Sequence, residues 1–233
     1  MNIAFILTTG HGNKFMNQTN KVSKNVYEDF RTRIACRVID TFQKHPDIDK
    51  IVIITDLEYV KKTEDVVKLR NFDKVMGVVS GGISQEASIN SGILFLNESE
   101  HYVSNANIII HDASRINVNK NDISLIVNSL NEHEAVSFIK GVSKKTITKT
   151  EDNFIDKTIE KADIYSIVTP QGFKLDRLRT AHNFALDLNQ RFDDETSLMK
   201  LINVPTYLLL DESGHLNTYT EMDLLVAEFL LQN

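Results

Sequence analysis

Gly10 and Gly12 follow a short apolar run, in the order Thr8-Thr9-Gly10-His11-Gly12-Asn13-Lys14-Phe15, with Lys21 a little further on. Glycine just past a strand lets the backbone turn tightly and bring amide N–H groups close to an anion. Lys14 or Lys21 could then reach a group such as a triphosphate. A plain turn explains the same glycines. Gly81 and Gly82 follow a second apolar run, with Ser88 in the first turns of the segment after them. Such a pair gives close backbone access to a flat ligand, although a turn again accounts for it. The third segment is Ile108-Ile109-Ile110-His111-Asp112-Ala113-Ser114-Arg115. A carboxylate at the exit of a buried strand is poorly explained by packing. It can bind Mg²⁺ through oxygen or accept from a ribose hydroxyl. Arg115 can fork onto a phosphate. The competing explanation is that Asp112 caps the next turn and Arg115 pairs with it. His111 is read as a packed, hydrogen-bonded histidine. The acidic run Asp193-Asp194-Glu195 is read as a solvated loop or a helix start.

These segments need a scaffold that brings strand ends together. Apolar runs over 3–7, 51–54, 75–79, 107–110, 135–139 and 206–210 are rich in Ile, Val, Leu and Phe. Runs this short and this apolar are expected of parallel strands covered on both faces. Helical stripes separate them over 27–44, 85–96 and 121–131, and a closing helix is expected over 221–231. The alternation predicts a single α/β domain, Rossmann-like, with a mostly parallel sheet between two helical layers. Ligands of such sheets bind outside the carboxyl ends of the strands, where all three segments lie. The stretch 141–168 breaks the pattern with Thr146, Thr148 and Thr150 in alternation, and is expected to be an extended arm or small hairpin outside the core.

The 233 residues are 42% hydrophobic and 25% charged, enough for a sizeable core without metal or disulfide staples. The net charge of −6 and the pI of about 5.7 argue against a nucleic-acid partner. No apolar run approaches the length of a membrane span, and the first residues lack the basic flank of a signal peptide. One cysteine, Cys36, excludes an intrachain disulfide and fits a cytoplasmic setting.

Taken together and in order, the segments resemble the family of 2-C-methyl-D-erythritol 4-phosphate cytidylyltransferases and the related ribitol-5-phosphate cytidylyltransferases. The resemblance is carried by Gly81-Gly82-x-x-Gln85-x-x-Ser88, by Ile110-His111-Asp112-Ala113-Ser114-Arg115 and by Val168-Thr169-Pro170-Gln171-Gly172-Phe173. Asp193-Asp194-Glu195-Thr196-Ser197 and Asp223-Leu224-Leu225-Val226-Ala227-Glu228 follow. It implies a sheet of about seven strands, a projecting β-arm over 141–168 and a homodimer joined through the arms. It implies a transfer of CMP from CTP to a small polyol phosphate, with Mg²⁺ as cofactor. Thr8, Thr9, Gly10 and Gly12 would wrap the CTP phosphates, with Lys14 and Lys21 as the catalytic cations. Gly81, Gly82 and Ser88 would hold cytosine and ribose, and Asp112 would sit at the metal. Arg115, Thr146 and Lys161 would face the acceptor phosphate.

The chain also departs from the family pattern. Lys14 stands where the resemblance implies arginine, Gln85 replaces another arginine, and Asn217 replaces a lysine. Asn20 and Val22 flank Lys21 in place of the usual neighbours, and Lys145 precedes Thr146 where the arm normally carries an aspartate. These changes favour a divergent role in surface-polymer synthesis over isoprenoid synthesis. They also leave open a catalytically degenerate relative that binds nucleotide or acts as a partner subunit.

Overall fold

The structure is a computed structural model describing residues 1–8, 24–98, 103–142, 146–149, 151–152, 155–159, 164–188, 190, 192, 194–212, 214 and 221–232. The side chains at 24–31, 146–149, 221, 222, 224, 225 and 232 fall outside that description.

Seven strands form the central sheet: β1 (Asn2–Leu7), β2 (Lys50–Thr55), β3 (Val75–Ser80), β4 (Asn107–Asp112), β5 (Ala135–Gly141), β8 (Tyr165–Lys174) and β9 (Thr206–Leu210). Their order is β3-β2-β1-β4-β8-β5-β9, and β8 alone among them runs antiparallel to its neighbours. The six strands expected from apolar runs are all present. β1, β2 and β4 are almost wholly buried, which is why they carry unbroken Ile and Val.

Two helical layers cover the sheet. Helices α1 (Lys24–Gln43), α2 (Val60–Arg70) and α4 (Lys120–Ser129) pack on one face, through Val38, Phe42, Ile123 and Ile126, with Val66 and Val67 partly buried. Helices α3 (Gln85–Asn97), α5 (Leu175–Asp187) and α6 (Glu195–Leu201) cover the other, through Ile89, Ile93, Leu178, Leu198 and Met199. The closing helix α7 (Glu221–Gln232) lies on α1, where Arg33 forms a two-pronged pair with Glu228 at 2.9 and 2.8 Å. Asn119 caps α4, in a reciprocal box with Asp122.

The stretch 141–168 divides in two. β6 (Thr146–Lys149) and β7 (Ile155–Ile159) pair antiparallel as a separate two-stranded ribbon. Residues 165–168, expected in the arm, belong instead to the central sheet, where Tyr165 to Val168 pair with Gly141 back to Phe138. Beyond them the ladder skips Thr169 and Pro170 and resumes at Gln171 opposite Ser137. Proline has no N–H for the ladder, so the irregularity falls where the sequence places it. No helix among the described residues is long and apolar enough to cross a membrane.

Candidate functional site

The carboxyl ends of β3, β2, β1 and β4 lie along one edge of the sheet, because the four strands are parallel and adjacent. Thr8 stands just past β1, Gly81 just past β3, and Asp112 at the end of β4. The parallel register sets Leu7 opposite Asp112 and Thr55 opposite Ser80. Strand pairing therefore brings together three segments far apart in the chain.

Thr8 is pinned to β2: its N–H donates to the Ile54 carbonyl at 2.8 Å, and its hydroxyl reaches the same oxygen at 3.2 Å. Thr8 thus fixes the exit of β1 against β2. Thr9, Gly10, Gly12, Lys14 and Lys21 lie outside the described residues. So do Lys161 and Asn217, while Thr146 is described only as a backbone position opposite Ile159 in the ribbon.

The second segment is tightly built. The Gly81 N–H donates to the Thr55 carbonyl at 2.7 Å, holding the turn against β2. Ser84 caps α3 by accepting from the Ala87 N–H, and the buried Ser88 hydroxyl donates to the Ser84 carbonyl at 2.8 Å. The same hydroxyl accepts from the Gly82 N–H at 3.1 Å. A Cβ on Gly82 would overlap the Ala87 side chain and crowd its backbone, so glycine is required there for close approach. Ser88 thus holds the glycine turn against its own helix, a role that the sequence alone did not suggest.

At β4 the Asp112 N–H donates to the Thr169 hydroxyl at 3.1 Å, and Asp112 Oδ1 accepts from the Ser114 N–H at 2.9 Å. The Arg115 N–H donates to the Asp112 carbonyl at 3.0 Å. Asp112 does cap the turn, as one reading of the sequence held. The other half of that reading does not appear: among the described residues the Arg115 guanidinium has no hydrogen-bond or ion-pair partner, and its Nε is buried. An unpaired guanidinium four residues from a packed histidine is a ready anion ligand. His111 is itself fully buried, tilted against Phe42, with Nε2 against the Arg115 carbonyl at 3.1 Å. Among the described residues no cluster of three His, Cys, Asp or Glu side chains could hold a metal alone. Mg²⁺ carried by a nucleotide needs only one or two carboxylates, the rest of its shell being phosphate oxygens and water, so the lone Asp112 fits it.

The acidic run departs from expectation. Asp194 caps α6, accepting from the Thr196 and Ser197 N–H groups, so the helix start is present. Glu195 is not solvated: it is fully buried, and its Oε2 accepts from Gln85 Nε2 at 3.1 Å. Burial pushes its carboxyl up to about 7 against the pull of the Gln85 hydrogen bond. On α5, burial alone lowers His182 to about 4 and keeps it neutral. The single cysteine is buried and its thiol is pushed up by burial, which makes it a poor nucleophile.

The profile of the IspD family, 2-C-methyl-D-erythritol 4-phosphate cytidylyltransferase, matches residues 2–233. A protein of that name from Clostridium acetobutylicum is 31% identical over 237 residues, covering 100% of this chain and 98% of its own. Another from Clostridium tetani is 29% identical over 229 residues, covering 97% and 89%. Among solved structures, 4-diphosphocytidyl-2C-methyl-D-erythritol synthase from Anaerococcus prevotii superposes with a TM-score of 0.80 at 19% identity, over 100% of this chain and 99% of that one. The cytidylyltransferase from Thermus thermophilus gives 0.71 at 15% identity, with both chains covered in full.

Proposed function

The chain belongs to the IspD family of 2-C-methyl-D-erythritol 4-phosphate cytidylyltransferases, and on that premise we propose that it transfers CMP from CTP to 2-C-methyl-D-erythritol 4-phosphate, with release of pyrophosphate. The observation that carries the reading is the convergence of Thr8, Gly81, Gly82, Ser88 and Asp112 on one sheet edge. The names of the relatives favour this acceptor over ribitol 5-phosphate, which the replaced cations had suggested.

An oxygen of the acceptor phosphate attacks the α-phosphorus of CTP. The new P–O bond forms as the bond to the α,β-bridging oxygen breaks, and pyrophosphate leaves with the electron pair. No side-chain nucleophile is needed, so catalysis is positioning together with stabilisation of charge on phosphate oxygens. Gly81 and Gly82 present backbone to the base and ribose, with Ser88 bracing the turn from its helix. Asp112 would hold Mg²⁺, which when bound neutralises phosphate charge. The proposal assigns Arg115, Thr146 and Lys161 to the acceptor phosphate, and Lys14 and Lys21 to the triphosphate.

A homodimer joined through the β6–β7 ribbon is part of the proposal. One sheet face at the base of the ribbon supports it: Ile167 and Leu210 flank Ile139 in register, and both are exposed, as are Tyr165 and Leu208. A second copy covering these side chains would remove a contiguous apolar patch from water.

A second reading, a nucleotide-binding relative without turnover, draws on Gln85. It stands where the resemblance implies an arginine, and it bonds Glu195. One experiment separates the two: pyrophosphate release with CTP and Mg²⁺, offered methylerythritol phosphate or ribitol 5-phosphate, for wild type and Lys21→Ala. The proposed function expects turnover with methylerythritol phosphate and a loss of about a hundredfold or more in kcat in the variant, with CTP affinity much less affected. Turnover with ribitol phosphate alone would reassign the acceptor. CTP binding with no turnover on either would favour the degenerate relative. Unchanged turnover in Lys21→Ala would move the catalytic role to Lys14 or Lys24.

A further inference from the structure

Gln85 is the first residue of α3, directly after the Gly81–Gly82 turn and the Ser84 cap. Its amide donates to Glu195 Oε2, and its neighbour Glu86 accepts from the Phe192 N–H at 3.2 Å. The first turn of α3 is thus tied twice to the segment leading into α6. That turn also carries the ties of the glycine turn itself, through Ser84 and Ser88.

The tie is unusual in its cost. Glu195 is fully buried, and its Oε1 has no hydrogen-bond partner among the described residues. The charged groups acting on it are Asp194 on its own cap and Glu86 on α3, both acidic. No cation offsets it among the described residues. Burying a carboxyl without a cation is unfavourable, and an apolar side chain would pack there at no such cost. Gln85, by contrast, is exposed and would be satisfied by water. The bond is therefore not needed for the solvation of Gln85, and it burdens Glu195. What it does supply is geometry: it fixes the first residue of α3 relative to α6.

We infer that Glu195 is a positioning residue for the nucleotide, acting through Gln85 to set the entry of α3 and with it the Gly81–Gly82 backbone and Ser88. The inference rests on the reading of that turn as the base and ribose pocket. It also gives Gln85 a task different from the phosphate contact of an arginine: a neutral amide satisfies one oxygen of a buried carboxyl whether or not that carboxyl carries a proton.

The test is calorimetric titration of CTP with Mg²⁺, and steady-state turnover where it is found, on wild type, Glu195→Ala, Glu195→Gln, Gln85→Ala and the Glu195→Ala/Gln85→Ala pair, all well below their melting temperatures. Glu195→Ala and Gln85→Ala are each expected to weaken CTP, in Kd and in KM, by about tenfold with kcat nearly unchanged. Glu195→Gln keeps an acceptor oxygen and is expected to restore affinity. The double variant is expected to be no worse than the worse single one, because both changes break the same tie. If Glu195→Ala fails to fold, Gln85→Ala on the exposed side of the bond still decides the matter. A lowered melting temperature with wild-type CTP affinity in either single variant, or additive losses in the double, overturns the inference while the pocket stands. A wild type that binds no CTP overturns the pocket reading, and this inference with it.

Discussion

Asp112 and Thr169 meet where β4 ends beside β8: the aspartate N–H donates to the threonine hydroxyl at 3.1 Å, and both residues are buried. The β4–β8 ladder stops at the pair Ile110 and Gln171, and Pro170 cannot extend it. The Thr169 side chain takes over as acceptor for the N–H of the candidate metal-binding residue. Thr169→Val keeps the shape and removes the acceptor. Leaving that amide unsatisfied is expected to cost about 1–3 kcal/mol of stability, with a rise in the Mg²⁺ concentration needed for half-maximal turnover. Urea denaturation and a Mg²⁺ titration check the two parts, and a Thr169→Ser variant should recover both.

Arg115 carries a guanidinium with no partner among the described residues. Removing it breaks no internal ion pair there, so Arg115→Ala should change stability little. As an acceptor-phosphate ligand it should raise the KM for the polyol phosphate by roughly tenfold to a hundredfold, with CTP affinity near wild type. Steady-state kinetics with each substrate varied in turn decides this; a loss confined to CTP would place Arg115 on the other substrate.

Glu195 and His182 predict opposed pH dependences. The fold raises Glu195 from 4.5 to about 7, so its contribution to stability is fully present below pH 4.5 and is lost as pH rises through about 7. It lowers His182 from 6.5 to about 4, so that contribution is present above pH 6.5 and is lost as pH falls through about 4. Each amounts to on the order of 3 kcal/mol across its window, and their slopes oppose where the windows overlap. Glu195→Gln should therefore gain on wild type as pH rises from 4.5 to 7, and His182→Gln should gain as pH falls from 6.5 to 4. Urea denaturation of the three proteins across pH 4–8 reads both differences.

Deleting residues 144–160 removes the β6–β7 ribbon while leaving every strand of the central sheet. The expected product is a folded monomer, against a wild-type dimer, in sedimentation at micromolar concentration. A wild type that sediments as a monomer there would remove the dimer from the proposal.

β1, β2 and β4 were legible because burial on both faces demands uninterrupted Ile and Val. β8 was not. It runs antiparallel, its first three residues are exposed, and Pro170 sits inside it, so residues 165–168 read as the end of an arm. Helix α5 was also missed: its buried stripe includes Ala181, His182 and Ala185, small or polar residues that blur the apolar period. At the site, the exits of β1, β3 and β4 could be picked out from glycine and Asp112 at strand ends. Glu195 could not, since a glutamate opening a helix ordinarily faces water, and only the packing of α6 against α5 and the sheet puts it inside.

The place of β8 between β4 and β5 bears on synthesis at the ribosome. Ile108 pairs with Phe173, which emerges some sixty residues later, and β5 has no path to β4 except through β8. A nascent chain can thus assemble the layer β3-β2-β1-β4 early, but it carries the bare edge Ile108-Ile109-Ile110 until residue 174 is clear of the tunnel. An unpaired isoleucine edge is a template for association with other chains. Translation that stalls before β8 leaves this half-sheet open, and the strand that completes the Asp112 environment is the same one that closes it.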